Sequence, residues 1–314
     1  MKTKKRIVLL IILFINLVPV KAQDKEISSK DTMILKDDYF GQKTPDSAPI
    51  LFAPEIMNAE MGYHSPIIFS PDLTEAYWSP SAKIPCMMFS KKINGVWSTP
   101  EKIDFGLKMG AGDPAFSHNG EKLYFLSFQP PKPGDTERER IWFVVRKADG
   151  WSEPRHIDEI VLKHPTHWTF SFAANGNLYF TSEITGVRGE QDIYLAQFDG
   201  EKYLEPIDLG EMINTDGKEL APCIAPDESF IIFTRVGDGT KKADLYISFK
   251  KDDGNWTKAN EIGSSINTEK NDLCASLSPD GKYLFFISQK EGLSRIYWVS
   301  TKIIEEMKQK SFKD

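Results

Sequence analysis

Short apolar runs separated by polar turns recur along the chain at a regular spacing. Five apolar segments each end in a turn that carries Asp or Asn, at positions 72, 119, 175, 227 and 280, with intervals of 47, 56, 52 and 53 residues. A second apolar run follows each turn, as at 123–126 and 283–287. Two apolar runs joined by Asn-Gly or Asp-Gly predict a tight β-hairpin, because these pairs tolerate the positive φ angles of the turn.

Three of the five turns keep the glycine: Gly120, Gly176 and Gly281 follow the Asn or Asp directly. The other two turns read Asp72-Leu73 and Asp227-Glu228. Because neither Leu nor Glu favours positive φ, we expect these two turns to be longer.

Two further landmarks recur in the same phase. An Ile/Leu-aromatic pair marks a third strand, and a Trp-x-x-Pro-like segment marks a fourth strand; the pairs begin at 141, 193, 245 and 296, and the segments at 97, 151, 203 and 256. Proline in the fourth position fits an outer edge strand, which can forgo ladder hydrogen bonds. Each unit therefore contains four short strands.

Four-stranded units of about 50 residues, repeated head to tail, are typical of β-propeller blades. The second strand of each unit is apolar on successive residues, as expected when both sheet faces are covered. The pattern predicts an all-β propeller of four-stranded antiparallel blades, with five repeats visible and six blades as the alternative. The fifth repeat lacks its own fourth strand, and residues 49–58 resemble 206–214. We therefore expect an N-terminal strand to complete the last blade and close the ring.

The N-terminus has the pattern of a secretory signal. Four basic residues lie within positions 2–6, an apolar stretch covers 7–20, and Val20-Lys21-Ala22 resembles a cleavage site. The stretch is shorter than the roughly 20 apolar residues that cross a bilayer. We predict a signal peptide at 1–22, a polar segment at 23–47, the propeller at 48–302 and a short helical or disordered tail at 303–314, with cleavage near Ala22 and a periplasmic or secreted location.

Charge and cysteine content restrict the function further. Loss of residues 1–22 removes five basic and no acidic side chains and changes the net charge from -6 to -11, which disfavours nucleic-acid binding. No comparable apolar run follows residue 22, so no membrane span is expected. A monomer is expected too. The odd set Cys86, Cys223 and Cys274 lies in apolar segments, where packing is the simplest role. Export would still permit one disulfide.

Three segments of the sequence resemble those of a known family. Ser-Pro-Asp-Gly-Lys-Tyr-Leu-Phe-Phe at 278–286, together with Asp-Leu-Tyr-Ile-Ser-Phe at 244–249 and Trp-Thr-Lys at 256–258, looks like the TolB-type, WD-repeat-like β-propellers of exported bacterial proteins. The resemblance covers roughly 39–305. It implies the fold but no single function, because relatives include protein-binding propellers, propellers attached to peptidases and glycan-cleaving enzymes.

Catalytic signatures are absent from the sequence: G-x-S-x-G, H-E-x-x-H, the P-loop pattern and C-x-x-C do not occur. Repeat phase offers candidate residues instead. Eight residues before each turn position, where the innermost strands begin, are His64, Ala111, His167, Glu219 and Asp272, with Asp113 two residues beyond Ala111. Equivalent positions in a ring converge on one mouth of the central channel, so these residues predict a polar pocket or an ordinary solvated loop ring. No cofactor is expected, although imidazole and carboxylate groups suit a divalent cation.

A charged rim is the second candidate feature. The loop at 128–140 and the corresponding loops of other blades carry basic side chains that could grip an acidic glycan or a protein: Arg138, Arg140, Arg188, Arg235, Lys241 and Lys242. Ordinary solvated loop charges explain them equally well.

Two functional hypotheses follow from these features. The first is an exported, non-enzymatic binding module for a protein or an envelope glycan at the channel face. The alternative is a glycan hydrolase or polysaccharide lyase, which would need two opposed carboxylates, or a base with a neutralising cation. Glu219, Asp272 and Asp113 are the candidate carboxylates, and His64 and His167 the candidate bases.

Overall fold

Five antiparallel sheets follow one another along the chain in a computed structural model that describes residues 36–57, 60–183, 189–237 and 242–311. The sheets form a ring and confirm the predicted five-bladed β-propeller. In each blade the first strand is innermost and the chain then proceeds outward.

The strands are short and lie in chain order. Strand β1 (Ile50–Leu51) precedes blade 1, which contains β2 (Ile68–Phe69), β3 (Glu75–Trp78), β4 (Met87–Ile93), β5 (Val96–Trp97) and β6 (Glu101–Ile103). Blade 2 contains β7 (Gly112–Phe116), β8 (Lys122–Ser127), β9 (Arg140–Lys147), β10 (Gly150–Trp151) and β11 (Arg155–His156), and helix α1 (Glu159–Leu162) follows it. Blade 3 contains β12 (His167–Phe172), β13 (Leu178–Ser182), β14 (Asp192–Ala196) and β15 (Ile207–Asp208).

The last two blades complete the order. Blade 4 contains β16 (Lys218–Ile224), β17 (Phe230–Val236), β18 (Ala243–Phe249) and β19 (Asn260–Glu261). Blade 5 contains β20 (Asp272–Leu277), β21 (Tyr283–Ser288) and β22 (Arg295–Ser300), and helix α2 (Lys302–Ser311) follows it.

The N-terminal strand closes the ring as predicted. Strand β1 pairs antiparallel with β22 and places Ile50 opposite Trp298. The Phe52 N–H continues this ladder by donating to the Ile296 carbonyl at 2.9 Å. Blade 5 is therefore built from both ends of the described chain.

Residues just before β1 contribute to the core, although the sequence assigned them to a polar segment. Tyr39 and Phe40 are 4% and 3% exposed and pack in the cluster that joins blades 5 and 1. The Tyr39 hydroxyl donates to Asp280 Oδ1 at 2.9 Å, and the Trp97 indole donates to the Asp37 carbonyl at 2.8 Å. The described part of the predicted segment 23–47 thus packs between blades 5 and 1 and stabilises the ring closure. The predicted signal peptide at 1–22 lies outside the described residues.

The two hairpins without glycine are not longer, so that prediction was wrong. Leu73 and Glu228 adopt φ angles of 56° and 58°, close to the 71° of Gly120. Their N–H groups donate to Ser70 and Ala225 carbonyls at 2.9 Å, as the Gly120 N–H donates to Ser117. Packing around each turn therefore imposes the left-handed conformation on residues that do not favour it.

The core lies between adjacent blades. Every residue of β13 is buried, which agrees with a sheet covered on both faces. Trp97 and Trp256 of the fourth-strand segments are buried too. In blades 1 and 2 Pro100 and Pro154 fall between two short outer strands, where no ladder donor is required.

Two further properties apply to the described residues. The three cysteines are free, with Cys223 and Cys274 buried and Cys86 half-buried. None of the helices in the described ranges has the length and apolar character needed to cross a bilayer.

Candidate functional site

Two cavities meet at His64, at the channel end where the innermost strands begin; we call this end the upper mouth. The Trp168 cavity, of about 290 Å³, is lined by Tyr63, His64, Trp168, Asn271, Gln289 and eight further residues. The Asp113 cavity, of about 320 Å³, is lined by His64, Asp113, Lys83, Cys86, Glu139 and seven further residues. His64 is therefore the residue that lines both cavities.

His64 is held by a carboxylate and an aromatic ring from two other blades. Its Nδ1 lies 2.9 Å from Asp113 Oδ1, and its ring stacks on Trp168 with centroids 5.5 Å apart and planes 5° apart. The side chain is 45% exposed, whereas Asp113 is 3% exposed. The hydrogen bond to Asp113 raises the pKa of His64 to about 9, so the imidazole is a cation at neutral pH.

Backbone bulges place these partners. Asp113 and Trp168 adopt left-handed φ angles of 53° and 62°, and the strand register shifts at both sites. The Asp113 N–H donates to Ser79 Oγ of blade 1 at 2.8 Å. The same left-handed residue and register shift recur at Ala221 and Cys274 in blades 4 and 5. The bulge therefore belongs to the repeat, and in blades 2 and 3 it carries the carboxylate and the indole that contact His64.

His167 belongs to a neighbouring cluster of carboxylates. Its Nδ1 lies 3.6 Å from Glu139 Oε2, and its Nε2 lies 3.6 Å from Glu183 Oε1. The interaction with Glu139 raises the pKa of His167. Glu139 also lines the Asp113 cavity, so it connects the two histidine clusters.

Glu219 does not face either mouth cavity. It is fully buried, and its carboxylate accepts hydrogen bonds from the Thr215 N–H at 2.9 Å, the Thr215 hydroxyl at 2.7 Å and Arg235 Nε at 2.8 Å. The Arg235 guanidinium also lies over the Tyr246 ring, 4.4 Å from its centroid. A carboxylate with these partners fixes the Thr215 loop and neutralises the half-buried Arg235.

Asp272 repeats this arrangement in blade 5 without the arginine. Its Oδ2 accepts hydrogen bonds from the Thr268 N–H at 2.5 Å and the Thr268 hydroxyl at 2.8 Å. Ser288 stands opposite Asp272 where Arg235 stands opposite Glu219. Asp272 is fully buried and lines neither mouth cavity. The structure therefore brings together His64 and Asp113, but not Glu219 or Asp272.

The predicted basic rim is largely engaged within the fold. Arg140 is 4% exposed and donates to the carbonyls of Leu162, Thr136 and Arg138, so it holds its own loop. Lys242 pairs with Asp244 at 3.0 Å, and Arg138 is half-buried. Arg188 and Lys241 lie outside the described residues.

Trp168 and Glu139 are site residues that the repeat count did not single out. Glu139 lies inside the charged loop at 128–140, and Trp168 directly follows His167. A large aromatic residue on an innermost strand, where the channel leaves little room, was the available signal. Over the described ranges, no group of three or more His, Cys, Asp or Glu side chains is arranged to hold a metal ion.

Comparison with solved structures identifies the fold. TolB of Agrobacterium tumefaciens superposes with a TM-score of 0.52 at 16% identity, covering 82% of this chain and 86% of that one. TolB of Acinetobacter baumannii gives 0.51 at 16% identity over 78% of this chain, which spans about half (53%) of that protein. The fold is that of a TolB-like β-propeller.

The same fold occurs in an enzyme. An endo-arabinase of Bacteroides thetaiotaomicron superposes with a TM-score of 0.54 at 11% identity, covering 82% of this chain and 97% of that one. No protein-family model and no curated protein matches the chain. At these identities the comparisons show the propeller fold and no function.

Proposed function

We propose that the protein is an exported binding module that takes a partner at the upper mouth and has no catalytic activity of its own. The observation that carries this proposal is the pair of cavities meeting at His64 and Trp168, together with the burial of Glu219 and Asp272. A glycoside hydrolase needs two carboxylates facing one substrate, and these two face neither cavity. Asp113 and Glu139 line one cavity, but Asp113 is engaged by His64.

The state of His64 also argues against lyase chemistry. A general base must be unprotonated near the working pH, whereas His64 with a pKa of about 9 carries its proton there. A stacked imidazolium and indole instead form a fixed, partly apolar surface for a ligand.

Apolar side chains around the upper mouth favour a protein as the partner. Met61, Ile84 and Leu293 are 45%, 58% and 46% exposed. Each is close in sequence to a residue that lines one of the two cavities, Tyr63, Pro85 and Ser294 respectively. Exposed apolar side chains that flank a concave surface are suited to contact with a protein.

The binding proposal is tested with a photo-crosslinking amino acid at position 61 of the exported protein in intact cells. A covalent adduct with one protein, lost in the Trp168→Ala variant and kept in the His118→Ala variant, supports the proposal. His118 is the matched control because it is exposed at the opposite end of the channel.

The enzymatic alternative has its own assay. Purified protein is incubated with arabinan and polygalacturonate, and new reducing ends or unsaturated products are measured. Turnover that disappears in Glu139→Gln or His64→Ala would replace the binding proposal with the glycan-cleaving one. Export is tested separately by sequencing the N-terminus of the protein recovered outside the cytoplasm, where cleavage near Ala22 is expected.

A further inference from the structure

The Trp168 cavity has a largely apolar wall with a single charged side chain. Leu220, Val236 and Leu273 line it beside the Trp168 indole. Among the described residues that line it, none is Asp, Glu, Lys or Arg, and His64 is the one cation. The apolar part of a ligand can be buried here, and a charged part of that ligand would meet His64.

The amide side chains of this wall are bonded within the fold. The Asn271 amide donates to Gln289 Oε1 at 2.9 Å, and the Gln289 amide donates to Ser294 Oγ at 3.1 Å. Asn271 Oδ1 accepts the Ala243 N–H at 3.0 Å. These amides need no ligand to satisfy them, so the imidazolium of His64 is the group that selects one.

Two contacts fix the direction of the second ring nitrogen of His64. Nδ1 lies 2.9 Å from Asp113 Oδ1, and the ring is stacked parallel to the Trp168 indole. Nε2 is on the other side of the ring and therefore points away from the Asp113 carboxylate. The side chain is 45% exposed, and no hydrogen bond to a described residue engages Nε2. Nε2–H is thus an accessible, charged donor, the type that binds a carboxylate most strongly.

Size and surroundings indicate which carboxylate fits. The cavity volume of about 290 Å³ is about twice the 150 Å³ that holds one benzene molecule, so it admits one medium-sized apolar side chain together with a carboxylate. Met61 and Leu293 are 45% and 46% exposed and lie close in sequence to the cavity residues Tyr63 and Ser294. They offer apolar contacts to a chain that continues out of the cavity.

We propose that the Trp168 cavity takes the C-terminal residue of a partner protein. The apolar side chain of that residue packs against Trp168, and its terminal carboxylate accepts a hydrogen bond from His64 Nε2. This inference rests on the proposed binding of a protein at the upper mouth and names the part of the partner that enters the cavity.

Four probes separate the parts of this proposal. The mature protein is titrated at about pH 7 with N-acetyl-Ala-Ala-Ala-Leu, its C-terminal amide, N-acetyl-Ala-Ala-Ala-Gly and 4-methylpentanoate, and ¹H–¹⁵N shifts of the Trp168 and Leu273 amides report binding. The leucine peptide acid should bind about tenfold more tightly than its amide, because the amide lacks the hydrogen bond between charged groups. It should bind about tenfold more tightly than the glycine peptide, which buries less apolar surface. It should also exceed 4-methylpentanoate, which lacks the chain that reaches Met61 and Leu293.

His64→Gln should lower the affinity for the leucine peptide acid to that for the amide and leave the amide affinity unchanged. His118→Gln is the matched control, because His118 is exposed at the opposite end of the channel, and it should keep the preference for the acid. If His64→Gln does not fold, the comparison of acid and amide on the unmodified protein still decides the role of the carboxylate.

Several results would each overturn the proposal: no binding of any probe, equal affinity of the unmodified protein for acid and amide, a glycine peptide or 4-methylpentanoate that binds as tightly as the leucine peptide, or a preference for the acid that persists in His64→Gln. A crosslinked partner at position 61 without peptide binding would overturn this inference alone and leave the proposed function standing. Peptide binding without a crosslinked partner would contradict the proposed function and not the recognition of the carboxylate.

Discussion

Phe52 lies at the closure of the ring, and its replacement by alanine tests whether the closure stabilises the whole propeller. The side chain is 1% exposed and is enclosed by rings from blade 5, blade 1 and the N-terminal segment. The centroids of Phe285 and Trp298 lie 5.0 and 5.1 Å away, and those of Phe40 and Phe69 lie 5.9 and 6.2 Å away.

Phe52→Ala should lower the free energy of unfolding by about 4 kcal/mol. Truncation of a buried phenylalanine costs about 3–5 kcal/mol, and rings held by three separate segments leave little freedom to refill the space. A domain of this size loses about 2–4 °C of melting temperature per kcal/mol. A decrease of about 10 °C is therefore expected.

Differential scanning calorimetry of the mature protein measures this decrease. Ile93→Ala is the control, because Ile93 is 58% exposed and its truncation should change stability by less than about 0.5 kcal/mol. A melting temperature for Phe52→Ala within about 2 °C of the unmodified protein would refute the reasoning. So would a profile in which most of the heat absorption stays at the original temperature, because closure would then not be coupled to the other blades.

Three other measurements test separate features of the structure. In Asp113→Asn, NMR titration should show the pKa of His64 falling from about 9 toward its ordinary value of about 6.5. Because the folded pKa is raised, the stability that this pair contributes is complete below about pH 6.5 and is lost as the pH rises toward 9. A His64 pKa that stays near 9 in the variant would contradict the role given to Asp113. Arg146→Met should lower the free energy of urea unfolding by about 2–3 kcal/mol, because the 7%-exposed Glu75 carboxylate loses the guanidinium that donates to it at 3.1 and 2.7 Å. Adding Glu75→Gln should recover part of this loss. If Arg146→Met is as stable as the unmodified protein, the ion pair does not stabilise the fold. With a thiol reagent, the native protein should show one reactive cysteine, Cys86, and the unfolded protein should show three. Burial raises the pKa of Cys223 to about 12 and that of Cys274 above its ordinary value, which makes both thiols unreactive. Three fast-reacting thiols in the native protein would contradict the burial.

The fold was predictable because its signal repeats. Five copies of one hydrophobic pattern reinforce each other, and the missing fourth strand of the last copy pointed to closure by residues near 50. Tyr39 and Phe40 were missed because they stand alone in a polar stretch. Only the tertiary structure shows that they fill the space between blades 5 and 1.

The candidate site was predictable only in part, and His167 shows why. Counting eight residues back from the turn assumes innermost strands of equal length. His167 stands opposite Thr181, whereas Leu220 stands opposite Thr234, and these two threonines occupy equivalent places because each accepts an N–H from the next blade. His167 therefore corresponds to Leu220 and not to Glu219.

A shift of one residue turns a strand side chain to the opposite face. It places His167 on a different strand face from Glu219, at the position of Leu220, which lines the Trp168 cavity. The ring of His167 is instead held by its local partners Glu139 and Glu183. Glu219 and Asp272 were placed in equivalent positions correctly, but their carboxylates bind threonines four residues earlier. The repeat fixes where the backbone lies, while local partners decide what each side chain does.

The pairing of Ile50 with Trp298 also sets the order of events during synthesis. A ribosome makes β1 roughly 250 residues before its partner β22, so the fifth sheet cannot assemble until β22 has been translated. Until then blade 1 lacks one neighbour, and the aromatic residues at the future joint remain uncovered. A chaperone that binds apolar segments of the nascent protein would stay bound longest to the residues that later pack between blades 5 and 1.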